Sequence, residues 1–260
     1  MIAVAVAVVA QAAVFAPPLG VPIRVVNERI EGEWRFRMER LVRFEREGAG
    51  YRAEVWMVAA RADGPDRVGA MMEAGFGGLA GRTMIFHLDA AGKVAAIDDL
   101  DAVWARFCDG ITALVKTKHR NPDPLVAPIR ALAHERRLNV LSSLVTALIA
   151  EDGAEPGGTR QVRLPGSSPY GGQLMLTGTR SIDQLGITRR STTRAGADLP
   201  ARNGATGHVE MELTRESDPA TGLIFTASER VSTRIGTTVS ERVSTTRVTL
   251  EPAAAWPGQP

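Results

Sequence analysis

Between residues 34 and 44 the chain alternates with a period of two. Trp34, Phe36, Met38, Val42 and Phe44 fall on one side, and Arg35, Arg37, Glu39, Arg43 and Glu45 fall on the other. That pattern predicts a strand with one buried and one wet face. Arg40 intrudes on the apolar side, and Leu41 is out of phase on the polar one. Gly48-Ala49-Gly50 reads as a turn, after which Tyr51, Ala53, Val55, Met57 and Ala59 continue the alternation. Strands over 23–30, 33–47 and 50–60 therefore form an antiparallel meander. Residues 65–80 predict a short helix with Val68, Met71, Met72, Phe76 and Leu79 on one side. A hairpin follows, Thr83 to Leu88 and Lys93 to Ile97, around a turn at Asp89 to Gly92.

The period then changes to that of a helix. Leu100, Val103, Trp104, Phe107, Ile111, Leu114 and Val115 recur at steps of three and four, which is one apolar helical face. Asp98, Asp99 and Asp101 crowd its start, where carboxylates complement free amides and the positive end of the helix dipole. Asp123 followed by Pro124 reads as an N-cap and first helical position. Leu125, Ile129, Leu132, Leu141, Leu144, Val145 and Leu148 supply the apolar side, with a break expected near Asn139. The helical region, about 98–150, must bury this stripe against the flanking strands.

After Ala150 the sequence turns towards Gly, Pro, Ser and Thr as far as about residue 172, which reads as a loop-rich return to the sheet. Gln173–Thr179, Gln184–Thr193, His208–Arg215 and Leu223–Leu250 have strand composition, and the polar stretch Ala195–Gly207 reads as a loop. Ser228-Glu229-Arg230-Val231-Ser232-Thr233 recurs as Ser240-Glu241-Arg242-Val243-Ser244-Thr245. Setting Val231 opposite Val243 and Ile224 opposite Leu250 predicts a hairpin with a three-residue turn at Gly236-Thr237-Thr238. The tail, 253–260, reads as unstructured.

Composition narrows the class. The chain has 260 residues, 44% of them hydrophobic, enough for a sizeable core. Net charge is +2, and the arginines are interleaved with acids rather than gathered in a one-sign patch, which argues against nucleic acid as a partner. Residues 2–16 carry no charge and are rich in Ala and Val, too short a run for a membrane span. They read as the apolar part of a secretory signal, with Ala10-Gln11-Ala12 as the small-x-small cleavage site before Ala13. A cut after Ala16, just before Pro17, is a less attractive site. No Lys or Arg follows Met1, and a buried strand is the competing reading of the same run. With residues 1–12 removed, 13–252 would be one domain of a periplasmic or otherwise exported protein. Cys108 is the only cysteine, so no intramolecular disulfide can form. Beside Phe107 it reads as a small core residue.

The candidate chemistry is thin. Gly75-Phe76-Gly77-Gly78-Leu79-Ala80-Gly81 resembles a phosphate loop in composition, but it ends a helix and precedes a strand, the reverse of the order that chemistry requires. It reads instead as a flexible connection. His134-Glu135 begins like a zinc-protease helix, yet position 138 is Leu138. His87, His119 and His208 show no ligand spacing, and the aspartates near 98–101 lack the pattern of a calcium loop. No serine sits in a Gly-x-Ser-x-Gly elbow. The sequence thus points to no catalytic residue, no metal set and no cofactor, and to a non-catalytic protein.

The large apolar side chains offer two readings: an ordinary core, or a curved sheet whose helix-covered face holds an apolar ligand. The order of elements (strands, short helix, hairpin, helical middle, strands) resembles the LolA/LppX-like β-clam proteins over most of residues 20–250. That resemblance implies an α+β fold, a curved antiparallel β-sheet or half-barrel packed on a central group of helices, with acyl chains taken up between them. It implies a cavity lined by Trp34, Phe36, Met38, Val55, Met57, Met72, Phe76, Trp104, Phe107 and Ile111. No cysteine follows the apolar leader, so the lipid anchor of some members is missing. The expected function is binding or carrying a lipid or another apolar molecule. The alternative is an envelope structural or interaction protein with a closed, dry core, meeting a transient protein partner.

Overall fold

The computed structural model describes residues 15–64, 70–117, 121–153, 155–202 and 205–257, the side chains of residues 72, 201, 202 and 205 excepted. The alternating stretches become β1 (Ile23–Glu31), β2 (Trp34–Glu47) and β3 (Gly50–Asp63). α1 (Ala70–Gly77), β4 (Thr83–Leu88) and β5 (Val94–Ile97) complete the first half. α2 (Leu100–Lys116), α3 (Asp123–Arg130) and α4 (His134–Thr146) then carry the chain from one edge of the sheet to the other. There a second meander begins with β6 (Gly158–Ser167) and β7 (Gln173–Leu185). It continues through β8 (Thr188–Arg202), β9 (Ala205–Ser217), β10 (Ile224–Ile235) and β11 (Thr238–Leu250).

The eleven strands form one open antiparallel sheet in the order β5-β4-β3-β2-β1-β11-β10-β9-β8-β7-β6. The two meanders meet where β1 pairs with β11, placing Val25 opposite Val248. The sheet is curved. Glu31 on β1 and Pro165 to Pro169, at the end of β6 and just beyond it, line one cavity of about 440 Å³. Those strands are six steps apart in the order. On a flat sheet they would lie about 29 Å apart.

The helices cover one face of the first meander. Ile23, Val25, Val42, Phe44, Val55 and Phe86 meet Trp104, Phe107, Ile111, Leu141 and Leu144 in a single core. α1 crosses α2 at glycine. A Cβ on Gly110 would stand 2.3 Å from the Ala74 carbonyl, and one on Gly78 would stand 2.6 Å from that of Arg106. The Gly75–Gly81 run is thus in part a packing surface between helices rather than only a flexible connection.

Other local expectations change for physical reasons. β6 occupies part of the stretch read as loop; Pro165 is compatible with a strand because β6 is an edge and needs no donor there. The strand expected over 184–193 is mostly strand, 188–193 lying in β8, but a hairpin bend interrupts it, Leu185 pairing with Thr188 across Gly186 at φ +62°. Ala195–Gly207 lies mostly in β8 and β9, with Ala195 and Leu199 buried. The polar residues between them hid the alternation. The β10–β11 hairpin closes with two residues, pairing Ile235 with Thr238 and Val231 with Arg242. Gly236, at φ +57°, takes the first turn position, where that short hairpin needs a positive φ. Turn geometry thus outweighs the valine match. The helical break falls at Ala131–Ala133, where Ala133 is extended, and α4 runs on through an exposed Asn139. α1 begins at Ala70, and residues 65–69 lie outside the described residues.

The described part of the tail expected to be unstructured, 253–257, forms no helix or strand, but Trp256 is 6% exposed, with the Arg43 guanidinium 4.7 Å above its ring. A lone aromatic was enough to anchor it. The leader through residue 12 lies outside the described residues, and Phe15, the first described residue, is in the core. Phe15 packs edge-on against Phe44 and Tyr51, and its carbonyl accepts the Tyr51 hydroxyl at 2.7 Å. Among the described residues no helix is long and apolar enough to cross a membrane.

Candidate functional site

β2 and β3 present Trp34, Phe36, Met38, Val55 and Met57 to the helices, and α2 returns Trp104, Phe107 and Ile111. All of these are buried. Trp104 stacks on Phe107 with centroids 4.8 Å apart, Phe76 meets Phe107 edge-on at 5.2 Å, and Trp34 lies parallel to Phe36 at 6.2 Å. Gly75 leaves room for the Phe107 ring, which a Cβ would meet at 2.4 Å. Apart from Met72, whose side chain lies outside the described ones, the structure brings the whole predicted set into one packed cluster. None of it lines the cavities described below. The Trp34 and Trp104 indole N–H groups are buried there without an acceptor among the described residues.

Arg40 stands in the same interior, 0% exposed. Its Nε donates to the Leu144 carbonyl on α4 at 2.6 Å and its Nη1 to Asn27 Oδ1 on β1. Nη2 has no partner, and among the described residues no carboxylate pairs with the group. Burial alone pushes the guanidinium down to about 9. The position that broke the apolar pattern of β2 is therefore a buried cation bolting α4 to the sheet.

The same face continues beyond the helices, and there the structure places apolar residues that the sequence reading left out. Leu176, Ala195, Leu199 and Val209 form a second buried cluster, with Met211, Val231 and Ile235 packed against it. Leu176, Val209, Met211, Val231 and Ile235 also line the 440 Å³ cavity, walled by Pro165 to Pro169. Its polar rim includes Glu31, Glu229, Glu241 and Arg242, with Arg242 Nη2 donating to Glu229 at 3.2 Å. A smaller cavity of about 230 Å³ lies between the end of α4 and Leu213, Arg215, Ala227 and Glu229. Glu229 lines both. The signal for this surface was in the sequence: Val209, Met211 and Leu213 alternate with Glu210, Glu212 and Thr214. It was legible as a strand but not as a wall.

The opposite face is polar. Arg190 pairs with Glu216 at 2.5 Å and Arg194 with Glu212 at 2.8 Å, and together with Thr192, Thr214 and Thr245 they line a cavity of about 420 Å³. The two faces therefore differ in kind.

Titratable groups are tied down in pairs. His87 Nδ1 lies 2.6 Å from Glu47 and Nε2 2.8 Å from Asp98, and these carboxylates, Glu47 first, raise its pKa. Asp98 thus serves His87 rather than the α2 terminus. Asp99, at φ +49°, makes no side-chain cap, and Asp101 accepts from Arg137 at 2.7 Å. The capping expected of the three carboxylates is replaced by these pairings. Asn121, not Asp123, accepts at the start of α3, from the Asp123 N–H at 3.1 Å. Glu73 on α1 is held above the usual carboxylate range by burial, with Arg29 3.3 Å away. Burial likewise pushes the Cys108 thiol up, which keeps it protonated and a poor nucleophile. Ser191 donates to a buried Asp152 at 2.6 Å, which locks the α4–β6 crossover onto β8. Among the described residues no cluster of three or more His, Cys, Asp or Glu is placed to hold a metal ion.

No protein-family model matches the chain, and no curated protein does. Among solved structures, one described as lipid–protein interactions in lipovitellin is similar at 9% identity and a TM-score of 0.41, over 91% of this chain and 26% of that one. This chain therefore spans about a quarter of that protein's chain.

Proposed function

We propose that this is an exported, non-catalytic protein that binds or carries a lipid or other apolar molecule on the helix-side face of the second meander. The observation that carries this reading is the 440 Å³ cavity floored by Leu176, Val209, Met211, Val231 and Ile235 on the curled sheet. Its volume is within the range of small-molecule sites, and its apolar floor under a charged rim suits a ligand with a greasy body. The first meander is filled by its own helices, so its aromatic residues shape the scaffold, and the ligand site lies across the β1–β11 seam from them. Export fits the position of Phe15: cleavage before Ala13 leaves this core residue in place, whereas cleavage after Ala16 would remove it.

A second reading has its own support. The dense packing of Trp104, Phe107 and Ile111 against the sheet suits an envelope protein with a closed core that meets other proteins. Native mass spectrometry with lipid extraction, on protein purified from its own envelope, separates the two. A reproducible co-purifying lipid supports the carrier. Bare protein that takes up no fluorescent fatty acid leaves the closed-core reading.

A further inference from the structure

On the helix-side face of β9, Val209, Met211, Leu213 and Arg215 follow one another at every second residue. The first three are apolar, and Arg215 ends the row. Among the described residues the Arg215 side chain makes no hydrogen bond and no ion pair. The carbonyls that end α4, beside it, are already taken: the amides of Ala147, Leu148 and Ile149 bond to Ser143, Val145 and Thr146. Arg215 is therefore not needed as a helix cap. Among the described residues no carboxylate nearby makes an ion pair with it. Glu229, shared by the two cavities, accepts from Arg242, and Glu241 lies 3.7 Å from Arg230. Glu151 lines the Arg215 cavity from an exposed turn. The half-buried free cation thus opens a strip of about 20 Å along the strand, apolar over its last ~13 Å, taking two residues as ~6.7 Å.

We propose, resting on the apolar-ligand reading above, that the occupant is an anionic amphiphile. Its carboxylate or phosphate head sits on Arg215 beside Thr146, Ser244 and Thr246, and its chain lies along Leu213, Met211 and Val209. Guanidinium suits either head because its planar donors match two oxygens at once.

The test is displacement of an uncharged naphthylamine dye from the full chain by hexadecanoate, hexadecyl phosphate and hexadecanol. The anionic chains should displace it at concentrations about tenfold lower than the alcohol, the order expected for a charge-assisted hydrogen bond. Arg215→Gln should erase that preference while leaving the alcohol unchanged, and Arg215→Lys should keep part of it. Met211→Asp should weaken all three. Preference for the phosphate alone assigns the head to a phospholipid source, and equal preference for both anions assigns it to any anionic chain. A preference that survives Arg215→Gln, or equal binding of acid and alcohol, overturns the proposal and leaves the apolar-ligand reading standing. No displacement by any chain, or a dimer in sedimentation that ligand does not dissociate, removes that reading and the proposal with it.

Discussion

Arg40 and His87 shift in opposite directions, Arg40 through burial and His87 through its carboxylate partners. Arg40 is held below its free value, so the unfolded chain binds the proton more tightly than the fold does. The penalty is present below about pH 9 and is relieved as pH rises above it. Asn27→Leu alone should cost about 1.5–3 kcal/mol, because a charged donor loses its side-chain acceptor. Asn27→Leu with Arg40→Met should instead be neutral or stabilising by up to about 4 kcal/mol, as for other buried charges replaced by packed apolar groups. Urea denaturation measures both; a double variant no more stable than the single would contradict this account of Arg40. His87 has the opposite sign. Its pKa is raised above 6.5, so its contribution is complete below that pH and fades as pH climbs through the raised value. His87→Gln should therefore lower the denaturation midpoint most at about pH 5.5 to 6 and progressively less above it. A gap of constant size across pH would refute the pairing with Glu47 and Asp98. In the sequence Arg40 showed only as a fault in an alternation, and His87 as an isolated histidine. Their partners come from Asn27, Leu144, Glu47 and Asp98, which no spacing rule links to them.

At the scale of elements, periodicity was a good guide wherever one face was apolar and the other charged. β2, β3 and α2 follow it closely. It failed where both faces are polar. β6, β8 and the start of β9 are rich in Arg, Thr, Gly and Pro, and their place is set by neighbours in the ladder rather than by their own pattern. The β10–β11 hairpin illustrates a related competition, in which Gly236 fixed the register against the preference of Val231 for Val243. Gly236→Val should cost about 1–2 kcal/mol through the positive φ, measurable by thermal unfolding. The α1–α2 crossing is less forgiving still. Gly110→Ala would drive a methyl into the Ala74 carbonyl, and the resulting overpacking should cost about 1–3 kcal/mol. A variant as stable as the parent would mean that the two helices do not cross as closely as described.

For the molecule as a whole, the order of elements, through its resemblance to β-clam proteins, predicted two groups of strands joined into one curved sheet around helices, although only the first flank alternated clearly. It was not sufficient to predict which part of that sheet faces a filled interior. The aromatic residues that stood out by size, Trp34, Phe36 and Trp104, are the ones the helices consume. The open cavity is lined by mid-sized residues such as Val209, Val231 and Ile235, inconspicuous among their polar neighbours. Ligand uptake should follow this division. Val231→Asp should abolish binding of a fluorescent fatty acid with little change in stability, whereas Phe107→Ala should cost about 3–5 kcal/mol. Loss of binding only through loss of fold would contradict a separate site.

The neighbouring position of β1 and β11 has a further consequence. Ile23 lies opposite Leu250, so β1 waits for β11, far along the chain, before its second edge is satisfied. Pairing over such a separation is slow to form. The seam between the two meanders therefore stays open until β11 has been made, and β1 must keep one edge unpaired for that long, a template for wrong partners.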